Sequence, residues 1–176
     1  MWYVLKTTEG KEDRACEECR RAFPAGSFSD VFVPYYVRPY RRGGEWTEIR
    51  KPLFPGYIFA DTDDAGAKEI KDVLRYRIPH TAQPVCVGDD FVPIYSEEQE
   101  MLGRLMDSDH VVGISNGSLI DDRVVVDKGP LKACPDKVCW LDRHKRMAGV
   151  EMSLHGKQHR IKMGLLVVNK LYTKAG

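Results

Sequence analysis

The sequence predicts an α+β protein in which an antiparallel sheet with flanking helices is followed by a small β-barrel. In the first 107 residues, three stretches with apolar residues at helical spacing alternate with runs typical of β-strands. After residue 118 the pattern changes, and five short β-patterned runs occur in fewer than 60 residues. We therefore expect one domain over residues 1–107, a linker over 108–118 and a second domain over 119–176.

The N-terminal part begins with a strand and a helix. The opening residues WYVLKT favour a first strand, and EGKEDRACEECRRAF has the period of a helix that ends before Pro24. Next, DVFVPYYVRPYRR and EWTEIRK flank Gly43 and Gly44, which is the turn chemistry of a β-hairpin. Pro34 and Pro39 favour an irregular or edge strand there. The short apolar run in GYIFADT predicts a further strand with a buried face.

The sequence predicts two more helices, followed by the linker and the strands of the barrel. DDAGAKEIKDVLRYR has apolar residues at helical spacing, with Asp63 or Asp64 available as its N-cap. SEEQEMLGRLM predicts a helix whose Ser96 and Gln99 match a capping box. DSDHVVGISNGS is polar and contains glycine, which predicts the linker. The barrel strands are expected in RVVVDKG, KVCWLD, AGVEMSL, HRIKM and LLVVNK.

Composition and charge narrow the class of protein. A content of 43% hydrophobic and 30% charged residues is that of a globular protein with a folded core. No apolar run is long enough to span a bilayer, and the N-terminus reads as a strand, so we expect a cytoplasmic protein. Residues 118–176 hold 12 Lys or Arg against 6 Asp or Glu, whereas residues 1–117 hold 15 against 20. This asymmetry favours an anionic partner for part of the surface.

The cysteines raise two chemical alternatives to a structural role. Cys16 and Cys19 repeat with Phe23 at helical spacing, which predicts the core face of a helix. A zinc site would need Cys134 and Cys139, which lie in the other predicted domain. A redox or nucleophilic enzyme would need a thiol activated at a helix N-terminus, and this pair does not lie there. We therefore expect buried free thiols, no enzyme activity, no metal and no cofactor.

Several of these segments together resemble the NusG family of transcription factors. WYVLKT with the helix that follows it, LFPGYIF, and VCVGDDFVPIYSEEQEML look like the N-terminal NGN domain of that family. The segment from DRVVVDKGPLKAC to MGLLVV looks like its KOW domain, a small SH3-like barrel. The phrase LDRHKRMAGVEMSLHGK and the MGLLVV ending are most similar to specialised paralogs of the antiterminator type, such as LoaP.

The resemblance implies a monomeric, non-catalytic regulator of bacterial transcription elongation. Its NGN domain is expected to bind the clamp helices of RNA polymerase through an apolar surface. Recruitment is expected through a nucleic-acid signal, either a hairpin in the nascent RNA or an exposed DNA strand. By this resemblance the candidate polymerase contacts are Leu53, Phe54, Tyr57 and Phe59. Because strand alternation sends successive side chains to opposite faces, the resemblance favours Phe54 and Tyr57.

Two basic clusters are candidates for nucleic-acid binding, because cations bind phosphates and flat side chains stack on unpaired bases. In the predicted hairpin these are Arg38, Tyr40, Arg41, Arg42, Trp46, Arg50 and Lys51. In the predicted barrel they are Arg143, His144, Lys145, Arg146, Lys157 and Arg160. Solvated arginines paired with Glu45 and Glu48 are the alternative for the hairpin.

Two departures from the family pattern bear on the choice of function. KACPDKV lacks a glycine that the family has after its GP turn, and SLHG has His155 where the family has phenylalanine at an exposed tip. Loss of that apolar contact argues against the termination factor Rho and a ribosomal protein as partners. An antiterminator is therefore expected, and the alternatives are a general NusG elongation factor and a free RNA-binding KOW protein.

Overall fold

A computed structural model describes residues 1–172, which form three α-helices and twelve strands. The helices are α1 (Glu12–Ala22), α2 (Asp64–Tyr76) and α3 (Ser96–Leu105). The strands are β1 (Trp2–Lys6), β2 (Asp30–Phe32), β3 (Tyr35–Arg42), β4 (Glu45–Pro52), β5 (Tyr57–Asp61), β6 (Gln83–Pro84), β7 (Val111–Val112), β8 (Ser115–Ile120), β9 (Arg123–Lys128), β10 (Val138–Asp142), β11 (Met147–Leu154) and β12 (Lys157–Leu171). The predicted α+β class is confirmed.

The chain divides into two compact units by its internal contacts. The first consists of Met1–Pro34, Phe54–Gln99 and the short piece Leu154–Gly156. The second consists of Tyr35–Leu53, Glu100–Ser153 and the chain from Lys157 onward. The hairpin of β3 and β4 thus belongs to the same unit as strands β8 to β12. None of the helices among residues 1–172 has the length and apolar character needed to cross a bilayer.

The first unit is built on a four-stranded antiparallel sheet in the order β2-β5-β1-β6. The central strands β1 and β5 pair from Trp2 opposite Asp61 to Lys6 opposite Tyr57. Their side chains are buried on both faces of the sheet, and Leu5 and Ile58 are fully buried. Helix α1 contributes Cys16 and Cys19 to this core, as its spacing predicts.

The two predicted helix caps have different outcomes. Asp63 caps α2 as expected, because its Oδ1 accepts the backbone N–H of Gly66 at 2.7 Å. At α3 the predicted capping box of Ser96 and Gln99 is wrong, because the capping pair lies one residue earlier in the chain. The N–H of Tyr95 donates to Glu98 Oε2 at 3.1 Å instead, and Gln99 accepts the N–H of Trp2 at 2.9 Å.

Glu98 is a buried acidic residue whose carboxylate accepts three backbone N–H groups. Besides Tyr95, it accepts the N–H of His155 and the N–H of Gly156, each at 2.9 Å. The ring Nε2 of His155 lies 3.1 Å from the carbonyl oxygen of Val92. His155 is therefore buried and hydrogen-bonded, in contrast to the exposed tip residue that the resemblance implies.

The second unit contains the predicted β-hairpin. Strands β3 and β4 pair in register from Tyr35 opposite Pro52 to Arg42 opposite Glu45. Gly43 and Gly44 form the turn with positive φ values of 59° and 90°, in the left-handed region that favours glycine. Strand β7 adds to β3 in parallel and completes a three-stranded sheet.

The second unit also contains a five-stranded sheet in the order β10-β11-β12-β8-β9. Two expectations need correction here. Residues 115–118, predicted as part of the linker, lie in β8, which pairs in parallel with β12. HRIKM and LLVVNK are one continuous strand, β12, because Gly164 between them is not a turn residue. A Cβ at Gly164 would lie 2.7 Å from the carbonyl oxygen of Val37, so glycine permits close backbone approach.

Candidate nucleic-acid interface

The apolar run expected to contact polymerase lies largely inside the protein. Leu53, Phe54 and Phe59 are 1%, 2% and 1% exposed, whereas Tyr57 is half-buried. The ring of Phe59 packs against the rings of Trp2, Phe32 and Phe54 at centroid distances of 5.7 to 6.3 Å. The three buried side chains therefore stabilise the strand from inside the protein. Tyr57 is the one residue of these four whose side chain is partly accessible.

The hairpin candidates divide between its two faces. Directly opposite residues of an antiparallel pair share a face, and alternate residues switch faces. Arg41 is opposite Trp46 and Val37 is opposite Arg50, so the side chains of Arg41, Trp46 and Arg50 share one face. The other face carries Arg38, Tyr40, Arg42 and Lys51.

The second of these faces is anchored by a partly buried arginine. The guanidinium of Arg38 lies over the ring of Tyr40, with Cζ 5.6 Å from the centroid. It also hydrogen-bonds the hydroxyl of Tyr36, whose pKa is raised by burial and lowered in part by Arg38. The Nε of Arg38 is buried and has no hydrogen-bond partner. Arg38 is thus engaged within the hairpin, while Tyr40, Arg42 and Lys51 are exposed.

The first face meets the turn between β10 and β11, which we call the basic turn (residues 143–146). The guanidinium of Arg146 stacks on the indole of Trp46, with Cζ 3.7 Å from the ring centroid. Arg146 has a φ of 54°, the left-handed conformation that closes the turn. This contact joins two clusters that are far apart in the sequence.

Asp142 holds the basic turn in shape. Its Oδ1 accepts the N–H of Lys145 at 2.9 Å, and the Lys145 Nζ lies 3.7 Å from Oδ2. The backbone N–H of Lys145 is the main reason that the pKa of Asp142 is lowered, and the Lys145 charge adds to it. Arg143, His144 and Lys145 are left exposed to solvent.

We call the combined patch the basic surface. It consists of Arg41, Trp46, Arg143, His144, Lys145 and Arg146. Cations and one large aromatic ring lie side by side on it, which is the combination that single-stranded or looped nucleic acid binds. Arg50 lies on the same hairpin face, further along β4.

Two remaining candidates lie on β12. Lys157 is exposed at its start. Arg160 is also exposed, and its guanidinium lies 3.6 Å from a carboxylate oxygen of Glu151 on the neighbouring strand. Ile161 and Met163 point into the core, so Arg160 projects from the outer face as strand alternation requires.

Trp140 is a residue that sequence reasoning did not select. It was assigned only to the β-patterned run KVCWLD, although it lies three residues before Arg143. In the structure it sits on β10 opposite Gly149 and lines the same cavity as Arg143 and His144. An aromatic residue close to a basic turn was the signal that could have identified it.

The CxxC pair has the properties of a structural element. Cys16 Sγ donates to the carbonyl oxygen of Val31 at 3.1 Å, and burial raises the pKa of Cys16 to about 11. Burial likewise raises the pKa of Cys19 to about 12. Raised values make both thiols poor nucleophiles near neutral pH. Among residues 1–172, no three His, Cys, Asp or Glu side chains lie close enough together to hold a metal ion.

Comparison with known proteins gives a consistent result. Residues 1–102, more than half of the chain, match the family model described as transcription termination factor nusG. The transcription termination/antitermination protein NusG of Thermus thermophilus is 25% identical and aligns over 96% of this chain and 97% of its own length. NusG of Rickettsia typhi is also 25% identical, over 97% of this chain and 90% of its own.

A solved structure agrees at the level of fold. It is titled "Domain interaction in Thermotoga maritima NusG" and superposes with a TM-score of 0.50, covering 93% of this chain and 92% of that chain at 18% identity. An identity this low supports the fold alone. The family match over residues 1–102 leads to one conclusion: the chain belongs to the NusG family of transcription termination and antitermination factors.

Proposed function

We propose that this protein is a processive antiterminator, a specialised NusG paralog of the LoaP-like type that is recruited by a hairpin in the nascent RNA. The observation that carries the proposal is the stacking of Arg146 on Trp46 at 3.7 Å. This contact makes one surface out of the hairpin and the basic turn. A general elongation factor that ignores RNA sequence has no need of such a surface.

Looped RNA suits the basic surface better than duplex DNA. The surface consists of a turn beside a hairpin tip, and its aromatic ring is Trp46. Unpaired bases in RNA loops can splay out and stack on aromatic and guanidinium planes, whereas bases in a duplex are already stacked on each other. An exposed DNA strand offers the same bases and phosphates without the 2′-hydroxyl. A DNA hairpin with the same loop sequence is therefore the comparison ligand for the RNA hairpin.

The polymerase contact is the second half of the proposal. By analogy with the family, residues 1–107 form the polymerase-binding NGN domain and residues 119–176 the KOW domain. Of the expected connection, 108–118, residues 115–118 belong to strand β8. Within the LFPGYIF segment, Tyr57 makes the direct contact, and buried Leu53, Phe54 and Phe59 hold its strand in place. The protein acts as a cytoplasmic monomer and needs no cofactor.

Single-round transcription through a terminator tests the proposal. Hairpins are first selected from a library with randomised loops by using the wild-type protein. We expect more readthrough on templates that encode a selected hairpin upstream of the terminator, and no change on templates with a scrambled loop. The double variant R143E/R146E should lose this effect. Lys68→Glu, a charge reversal at an exposed position of α2, is the matched control and should retain it.

The salt dependence of hairpin binding provides a second readout. Each phosphate contact releases counterions, so the affinity should fall steeply as the salt concentration rises. R143E/R146E should make the slope shallower. Readthrough that is equal on all templates would indicate a general NusG factor. Tight hairpin binding with no effect on readthrough would indicate a free RNA-binding KOW protein.

A further inference from the structure

A cleft in the second unit lies beside the basic turn. Its volume is about 990 Å³, at the upper end of the range of about 300 to 1,000 Å³ typical of small-ligand sites. Its walls come from the end of β10, the basic turn and the middle of β12. The lining residues are Trp140, Leu141, Asp142, Arg143, His144, Arg146, Leu166, Val167 and Val168.

Trp140 forms a rigid flat wall of this cleft. It pairs across the sheet with Gly149, and a Cβ at Gly149 would overlap the indole ring. The ring therefore lies directly on the glycine backbone, a position that no other residue at 149 would allow. This packing fixes the plane of the indole against the sheet, and the rest of its half-buried surface lines the cleft.

The other walls of the cleft are of two kinds, apolar and polar. Leu166, Val167 and Val168 supply apolar surface, whereas Arg143 and Arg146 supply positive charge and His144 supplies ring nitrogens for hydrogen bonding. The Asp142 carboxylate adds an acceptor and is held in place by the N–H of Lys145. A flat apolar group that carries polar edges and a nearby anion matches these walls. A nucleotide has this combination, since its base has a π-face and hydrogen-bonding edges and its phosphate is negative.

We propose that this cleft binds one unpaired nucleobase of a bound RNA, stacked on Trp140, with the neighbouring phosphate held by Arg143 and His144. The inference rests on the proposed function, because it assumes that the basic surface carries RNA. It adds an aromatic stacking site for one base beside the cations and guanidinium planes of the basic surface. Trp46, which is covered by Arg146, then serves to position the turn at the mouth of the cleft.

Two probes separate base binding from phosphate binding. One is a short single-stranded oligoadenylate, and the other is a ribose-phosphate strand of the same length that carries no bases. Wild-type protein should bind the oligoadenylate more tightly by about tenfold or more. Trp140→Leu keeps an apolar group over Gly149 and should bind both probes equally, with an unchanged affinity for the strand without bases. Trp140→Phe should restore most of the preference.

Tyr76→Leu is the matched control, because Tyr76 is an exposed aromatic residue on α2 and its loss should leave both affinities unchanged. Wild-type protein that binds both probes equally would overturn the cleft proposal and leave phosphate binding by the basic surface intact. A Trp140→Leu variant that keeps the full preference for oligoadenylate would also overturn the cleft proposal and leave phosphate binding intact. Failure of the wild type to bind either probe would overturn the cleft proposal, and binding of the selected hairpin then tests the RNA-binding function independently.

Discussion

Arg146 and Trp46 show how much of the site depends on a single contact. Each lies at the tip of its own hairpin, where side chains are usually solvated and do not order their surroundings. Stacking at 3.7 Å orders both and brings the positive charge of the basic turn against the aromatic face. Neither residue is unusual in its own segment, because an arginine in a turn and a tryptophan on an edge strand are common. Their proximity is what makes them a site.

A double-mutant cycle measures this contact. We expect Trp46→Ala and Arg146→Ala each to lower the free energy of unfolding, with a coupling of about 0.5 to 1 kcal/mol between them because the pair is partly exposed. Chemical denaturation of the wild type, both single variants and the double variant gives the value. Additive effects of the two substitutions would show that the residues do not interact in solution.

The burial of three cysteines predicts the order in which the thiols react with a reagent. At pH 8 a thiol reagent should modify exposed Cys139 first, while Cys16, Cys19 and Cys134 should react only on unfolding. Mass spectrometry of the modified peptides identifies the order. Fast reaction of Cys16 or Cys19 in the folded protein would contradict a structural role and reopen the redox alternative.

The raised pKa values of Cys16 and Cys19 also predict how the stability of the protein depends on pH. The folded pKa values of Cys16 and Cys19, about 11 and 12, lie above the ordinary value of 9. The neutral thiol is therefore favoured by folding, and the stability that it contributes is complete below pH 9. It is lost as the pH rises from 9 towards 11 and 12. Replacement of both thiols by alanine should flatten the loss of stability in this alkaline range.

At the level of elements, local sequence signals identified those structures whose cause is local. The hairpin turn at Gly43 and Gly44 and the Asp63 cap were predictable, because turn conformation and capping involve neighbouring residues. The continuity of β12 was not predictable. Gly164 looks like a break in the sequence, but the backbone of β3 approaches it in space, and no local pattern reports that approach.

A pair of glycine substitutions tests this explanation. Gly164→Ala should destabilise the protein by about 1 to 3 kcal/mol, because the new Cβ would lie 2.7 Å from Val37 O and 3.0 Å from Ile114 Cγ1. Gly103→Ala is the control. It lies within α3 with no atom near the new Cβ, so it should stabilise the helix by about 0.5 to 1 kcal/mol. Thermal unfolding of both variants suffices, and a harmless Gly164→Ala would contradict the close approach.

At the level of the whole molecule, the fold class was predictable from the sequence and most of the candidate site was not. Hydrophobic periodicity distinguishes helices from strands, which is enough for the α+β class. It does not report which face of an apolar strand is covered, so it could not decide whether Leu53, Phe54 and Phe59 lie in the core or at an interface. The cleft at Trp140 was equally hidden, because it forms only when β10, the basic turn and β12 come together.

The central claim is recruitment to transcribing polymerase by an RNA hairpin. The most direct test measures binding of the full-length protein to an assembled elongation complex whose nascent transcript carries either a selected hairpin or the same stem with a scrambled loop. The account predicts tight binding only with the selected hairpin, and loss of that binding in R143E/R146E. Equal binding to both complexes by wild type and variant would contradict it.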